Sequence, residues 1–223
     1  MSSAAPPTRP RAIYLLLPFS LYLVMGVVFS LAVRWLGREA GYLLGFVCYW
    51  LMFGLAVPVM LIGKENFTSL LRDRNPLFSR RNCLAAGLWF IICVVTVLMY
   101  GREFCLAPLS LILLSIPLAV TNGVCEELFW RGLYVRAFPG NAWLGIVYPA
   151  AGFALWHLIP QSVFPAENIP GFILSTLFLG LAYGFIAFRS GSARWTAITH
   201  SLSGILALSG LLAANILSLL NIH

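Results

Sequence analysis

Seven stretches of this chain are long and apolar enough to cross a bilayer, and that succession limits the fold more than any single motif does. Crossing the hydrocarbon core takes about 20 predominantly apolar residues in a helix. The runs Ala12–Val33, Ala40–Gly63, Cys83–Gly101 and Phe104–Cys125 all meet that need. One more span fits within Ala137–Ala166, another at Asn168–Phe188, and a last one after Arg194. Lipid offers no partner to backbone N–H and C=O groups, so such segments must satisfy them internally as helices. The expected fold is all-α, a polytopic transmembrane helical bundle. The final run, Trp195–His223, is too long for one untilted span and too short for two. The count is therefore seven spans, or eight if the end forms a short pair around Gly210.

Charge supports the same picture. Only 9% of the 223 residues are charged and 61% are hydrophobic, where a soluble domain carries about 25% charged residues. The net charge of +7 sits in short loops between apolar runs, so it marks membrane topology and not a nucleic-acid surface. With a cytoplasmic N-terminus, Arg9, Arg11, Lys64, Arg72, Arg74, Arg80, Arg81, Arg131, Arg136, Arg189 and Arg194 fall inside, and only Arg34, Arg38 and Arg102 outside. This is the positive-inside pattern. Residues 1–11, "MSSAAPPTRPR", read as a disordered start, and 12–223 as one transmembrane domain. The first apolar run is longer than a signal h-region and runs straight into Arg34, so it is expected to be retained. Five cysteines without CxxC spacing suggest buried thiols. The longest polar loop, Lys64 to Asn82, contains "FTSLLRDRNPLF", which fits either a short interfacial helix or an ordinary loop.

Ionisable groups inside spans are costly and mark candidate sites. Three stand out: the pair Glu126–Glu127, His157 and His200. The remaining acidic residues, Asp73 among them, sit in loops and read as solvated. If the helix through Cys125 continues to about Phe138, Glu127 and Arg131 pair one turn apart. Glu126, rotated about 100° away, has no local charge partner, and Asn122 precedes it by one turn on the same face. Pro139, Gly140 and Asn141 look like a turn between antiparallel helices. Counting from it puts Glu126 and His157 at nearly the same level, about 21–26 Å away. The same counting does not bring His200 level with His157 without tilt, a non-spanning element or a re-entrant segment at "LIPQSVFPAENIP". A carboxylate and two imidazoles suit either a glutamate-activated water or a zinc site on Glu126, His157 and His200. No HExxH is present to choose between them.

The motifs "EELFWR" (Glu126, Glu127, Arg131), "FALWH" (Phe153, His157) and "HSLSG" (His200) resemble the EExxxR, FxxxH and HxxxN motifs of the CPBP family. That family comprises intramembrane endopeptidases, among them CAAX prenyl proteases and bacteriocin-processing enzymes. The resemblance spans about Pro108 to Leu212, the expected catalytic core. It implies that Glu126 activates the attacking water and that Glu127 and Arg131 support it. His157 and His200 would bind that water or stabilise the tetrahedral intermediate. The family's third motif ends in Asn or Asp, which helps form the oxyanion hole; here the position is Gly204. Ser203 or Asn122 would have to donate instead. The implied substrate is a membrane-associated peptide, prenylated in some members of the family. Membrane lipids surround the chain, and a prokaryotic plasma membrane is the expected location. Gly204 also admits a non-catalytic relative acting as a scaffold or regulator. A proton-coupled transporter is a third reading, opposed by the absence of paired interrupted spans.

Overall fold

The computed structural model describes residues 10–220, so the disordered start expected for residues 1–11 falls almost entirely outside the described residues. Six helices are long and apolar enough to cross a membrane: α1 Arg11–Leu36, α2 Arg38–Ile62, α3 Arg80–Leu106, α4 Leu109–Ala137, α5 Trp143–Val163 and α6 Ile169–Ser190. A seventh unit is a pair, α7 Arg194–Leu206 and α8 Leu211–Leu219, bent by 48°. Among the described residues there is no strand. The chain is an all-α, multi-pass membrane protein with six or seven spans. Neither α7 nor α8 is long enough to cross alone, which removes the eight-span alternative.

Prolines shape the packing through the carbonyls they leave free. Pro18, inside α1, has no N–H for the Tyr14 carbonyl four residues back. Tyr134 on α4 donates its hydroxyl to that oxygen at 2.9 Å. Tyr148 on α5 donates to the neighbouring Leu15 carbonyl at 2.5 Å, and Tyr22 donates to the Gly152 carbonyl at 2.7 Å. Three tyrosines thus staple α1 to α4 and α5. Pro160 similarly cannot serve the Trp156 carbonyl, and α5 is interrupted at His157 before resuming at Leu158–Val163. The segment continues as one span to Val163 and is not re-entrant.

The core is unusually aromatic. Tyr49 stacks on Trp156 with ring centroids 4.2 Å apart, and Phe29 and Phe46 meet the same indole edge-on. Trp130 donates its ring N–H to the Tyr49 hydroxyl at 3.0 Å. Helix α3 lies at the other extreme. Only 11% of its most apolar window is buried, so most of its surface is left for lipid.

The loop after α2 forms a 3-10 helix at Lys64–Leu71, with Leu70 and Leu77 buried in the bundle. The segment is a short helix anchored to the bundle, not a free loop. Asp73 is not merely solvated, as its loop position suggested. Its two oxygens accept from Ser192 Oγ at 2.5 Å and Trp195 Nε1 at 2.7 Å. Arg74 and Asn75 donate backbone N–H groups to the Ser190 carbonyl at 2.9 and 3.0 Å, and Ala193 N–H reaches the Leu70 carbonyl at 2.8 Å. The loop therefore clamps the tight turn around Gly191, whose φ of +74° favours glycine. The clamp fixes where α7 begins and how deep His200 sits: six residues on, about 9 Å along the helix.

Candidate active site

Helix α4 carries Glu126 and Glu127 to its buried side, with relative exposures of 1% and 0%. The sequence expectation for Glu127 is met: Arg131 NH1 lies 2.8 Å from Glu127 Oε1. The pair forms even though the helix widens to π geometry over Leu128–Gly132. The Arg131 guanidinium lies over the Phe153 ring at 4.2 Å and faces the Tyr183 ring at 5.5 Å, so aromatic faces as well as a carboxylate hold the charge.

His200 spans both carboxylates. A carboxylate can only accept, so Nδ1–H donates to Glu127 Oε1 at 3.0 Å. Its other ring nitrogen, Nε2, lies 3.4 Å from Glu126 Oε2. Glu126, which has no charge partner on its own helix, therefore meets an imidazole from α7. Its Oε1 accepts from Trp156 Nε1 at 3.3 Å. Counting from the Pro139–Asn141 turn placed His157 opposite Glu126; the residue that meets it is Trp156, one position earlier. One residue is about 100° of helix, enough to exchange the partner.

His157 stands further off. Its Nδ1–H donates to the Phe153 carbonyl at 2.8 Å, which leaves Nε2 with its lone pair. The ring packs edge-on against Phe153 at 4.7 Å and against Phe172 at 5.6 Å. His200 meets the same Phe153 ring at 6.2 Å. Both imidazoles thus converge on Phe153, although counting alone did not bring them level. The clamped start of α7 supplies what the count lacked. Among the described residues, no hydrogen bond or ion pair joins His157 to Glu126 or His200.

The two candidates for the missing donor separate cleanly. Ser203 shares a hydrogen bond with Thr96 on α3 at 3.1 Å. Asn122 lines a cavity of about 180 Å³ together with His200, Gly204 and Ser209. Gly204 itself has no room for a side chain: a Cβ there would lie 2.8 Å from the Ala119 Cβ and 3.4 Å from its Cα. Helices α4 and α7 approach through small residues, as intramembrane helices do. Metal binding fares less well. Among the described residues, no three His, Cys, Asp or Glu groups are placed to hold an ion. As they are placed, Glu126, His157 and His200 do not form such a three-donor group.

Sequence reading missed Trp156 and Trp50, whose indole N–H groups hold Glu126 and Asn122. The signal was available: a buried indole N–H seeks a polar partner, and such partners are few in apolar spans.

Glu126, Glu127 and Arg131 thus form a buried cluster, joined by His200, inside a bundle of apolar helices. Residues 108–206 match the family described as Type II CAAX prenyl endopeptidase Rce1-like and form a domain of that family. The match begins at Pro108, just before α4, and ends at Leu206, the end of α7. Membership implies an intramembrane protease acting on peptides, prenylated or not. No curated protein and no solved structure matches the chain.

Proposed function

We propose that the chain is an intramembrane endopeptidase that hydrolyses a peptide bond with a water activated by Glu126. The observation that carries this reading is the placement of Glu126, buried in α4 and facing His200 Nε2 at 3.4 Å. In the proposed step, Glu126 takes a proton from water as the hydroxide oxygen bonds to the scissile carbonyl carbon. The tetrahedral intermediate then expels the amine, which leaves with the proton that Glu126 returns, giving a free acid and a free amine. Glu127 and Arg131 orient His200 through its Nδ1–H and keep its other nitrogen turned toward Glu126. The bare Nε2 of His157 can accept the second hydrogen of the water. The unmatched donor set favours this metal-free form over zinc. The reading includes a prokaryotic plasma membrane and a cytoplasmic N-terminus, of which the distribution of arginines supports the second.

Gly204 is the observation that favours the second reading, a scaffold that has lost cleavage. Reconstituted protein separates the two. With a farnesylated peptide ending in a CAAX sequence and its unprenylated counterpart as probes, wild type is expected to cleave at least one. Glu126→Gln, His200→Ala and His157→Ala are expected to abolish cleavage while eluting as folded protein. Equal product from wild type and Glu126→Gln would leave the scaffold standing.

A further inference from the structure

Peptide hydrolysis builds negative charge on the carbonyl oxygen, and a preorganised donor aimed at that oxygen is usually worth a large part of the rate. We infer that Asn122, held by Trp50, is the oxyanion donor of this site. The inference rests on the hydrolytic reading above. It follows from asking which donors face the cavity beside His200. Ser209 gives its hydroxyl to the Ser115 carbonyl at 2.7 Å. Both nitrogens of His200 face carboxylates. Gly204 has no side chain, and Ala119 fills the space where one would go. Asn122 remains.

Its orientation is fixed by chemistry. Trp50 Nε1 donates to Asn122 Oδ1 at 2.9 Å. An indole nitrogen can only donate, so it must meet the amide oxygen; turning the amide over would set N–H against NH₂. Among the described residues the Asn122 NH₂ group has no hydrogen-bond partner, and it belongs to the residue that lines the 180 Å³ cavity with His200. That volume holds a short piece of backbone and little more. Asn122 also lies one helical turn before Glu126, so the base and the donor come from one rigid face of α4. Trp50 lies outside the stretch matched by the family, on α2. The N-terminal helices, in this inference, complete the site by positioning a residue that touches the reacting atoms.

The test compares kcat and KM for the full chain in proteoliposomes, with the farnesylated CAAX peptide as probe. Asn122→Asp keeps an acceptor for Trp50 and nearly keeps the shape but exchanges the donor for a carboxylate, whereas Asn122→Ala removes the donor without adding charge. The kcat of Asn122→Asp is expected to fall about 10²–10³-fold with little change in KM, and Asn122→Ala is expected to fall as far. Trp50→Phe keeps the ring and frees the amide; about a tenfold loss in kcat is expected, the equivalent of one ordinary hydrogen bond. If Asn122→Ala fails to fold, Asn122→Leu, uncharged and close in size, takes its place. An Asn122→Asp enzyme with kcat within about threefold of wild type, beside an inactive Glu126→Gln, overturns the donor role and leaves the hydrolytic reading intact. A fully active Glu126→Gln, or a wild type that cleaves nothing, overturns both.

Discussion

If the Arg131 side chain is removed, the Glu127 carboxylate keeps only His200 as an ionic partner, in a site where its own exposure is 0%. Breaking one side of a buried pair typically costs about 3–5 kcal/mol, because the remaining charge is stranded. Arg131→Met should therefore lower the unfolding midpoint in detergent sharply. Glu127→Gln added to it should restore part of the loss; a double variant no more stable than Arg131→Met would show that the pair is not what holds this site. Chelation gives a second residue-scale expectation. Because Glu126, His157 and His200 do not form a three-donor group, cleavage should persist in 1,10-phenanthroline. Inhibition reversed by added zinc would contradict that geometry. The pairing of Glu127 with Arg131 was legible in the sequence because it is local, set by helical spacing alone. The pairing of Glu126 was not. Its partners, Trp156 and His200, arrive from other helices, and their arrival depends on the break at Pro160 and the clamp at Asp73.

At the scale of elements, two contacts make separable predictions. Tyr134→Phe removes the hydroxyl that serves the Tyr14 carbonyl freed by Pro18. A buried carbonyl left without a donor costs about 1–3 kcal/mol, and the thermal midpoint should fall accordingly. An unchanged midpoint would mean that another donor takes over. At the α4–α7 crossing, Gly204→Asn forces a Cβ to within 2.8 Å of the Ala119 Cβ. Overpacking of this kind costs about 1–3 kcal/mol, and Ala119→Gly in the same chain should recover most of it. No recovery would place the strain elsewhere. The sequence alone marked Gly204 as a departure from the resembled motif. It could not show why, since the reason is the closeness of a second helix. The turn after α7 was equally hidden. Leu208 and Ser209 adopt φ of 54° and 53° without being glycine, and nothing in their residue types announces it.

For the whole molecule, the membrane fold was readable because long apolar runs leave few alternatives, and six of them became helices close to their expected bounds. The end of the chain was ambiguous for a physical reason: α7 and α8 are each too short to span, and the 48° bend between them makes the pair either one broken span or a re-entrant element. Orientation can be tested with native cysteines on α3. Cys83 and Cys105 lie near its two ends and both are exposed. With the N-terminus inside, an impermeant maleimide added to intact cells should label Cys105 and spare Cys83; the reverse pattern would invert the topology. The most direct trial of the central proposal is a comparison of new peptide N-termini in cells producing wild type or Glu126→Gln at equal membrane levels. A defined set of cleavage products present with wild type and absent with Glu126→Gln is the expected result. The same set in both would mean that the carboxylate at position 126 activates no water.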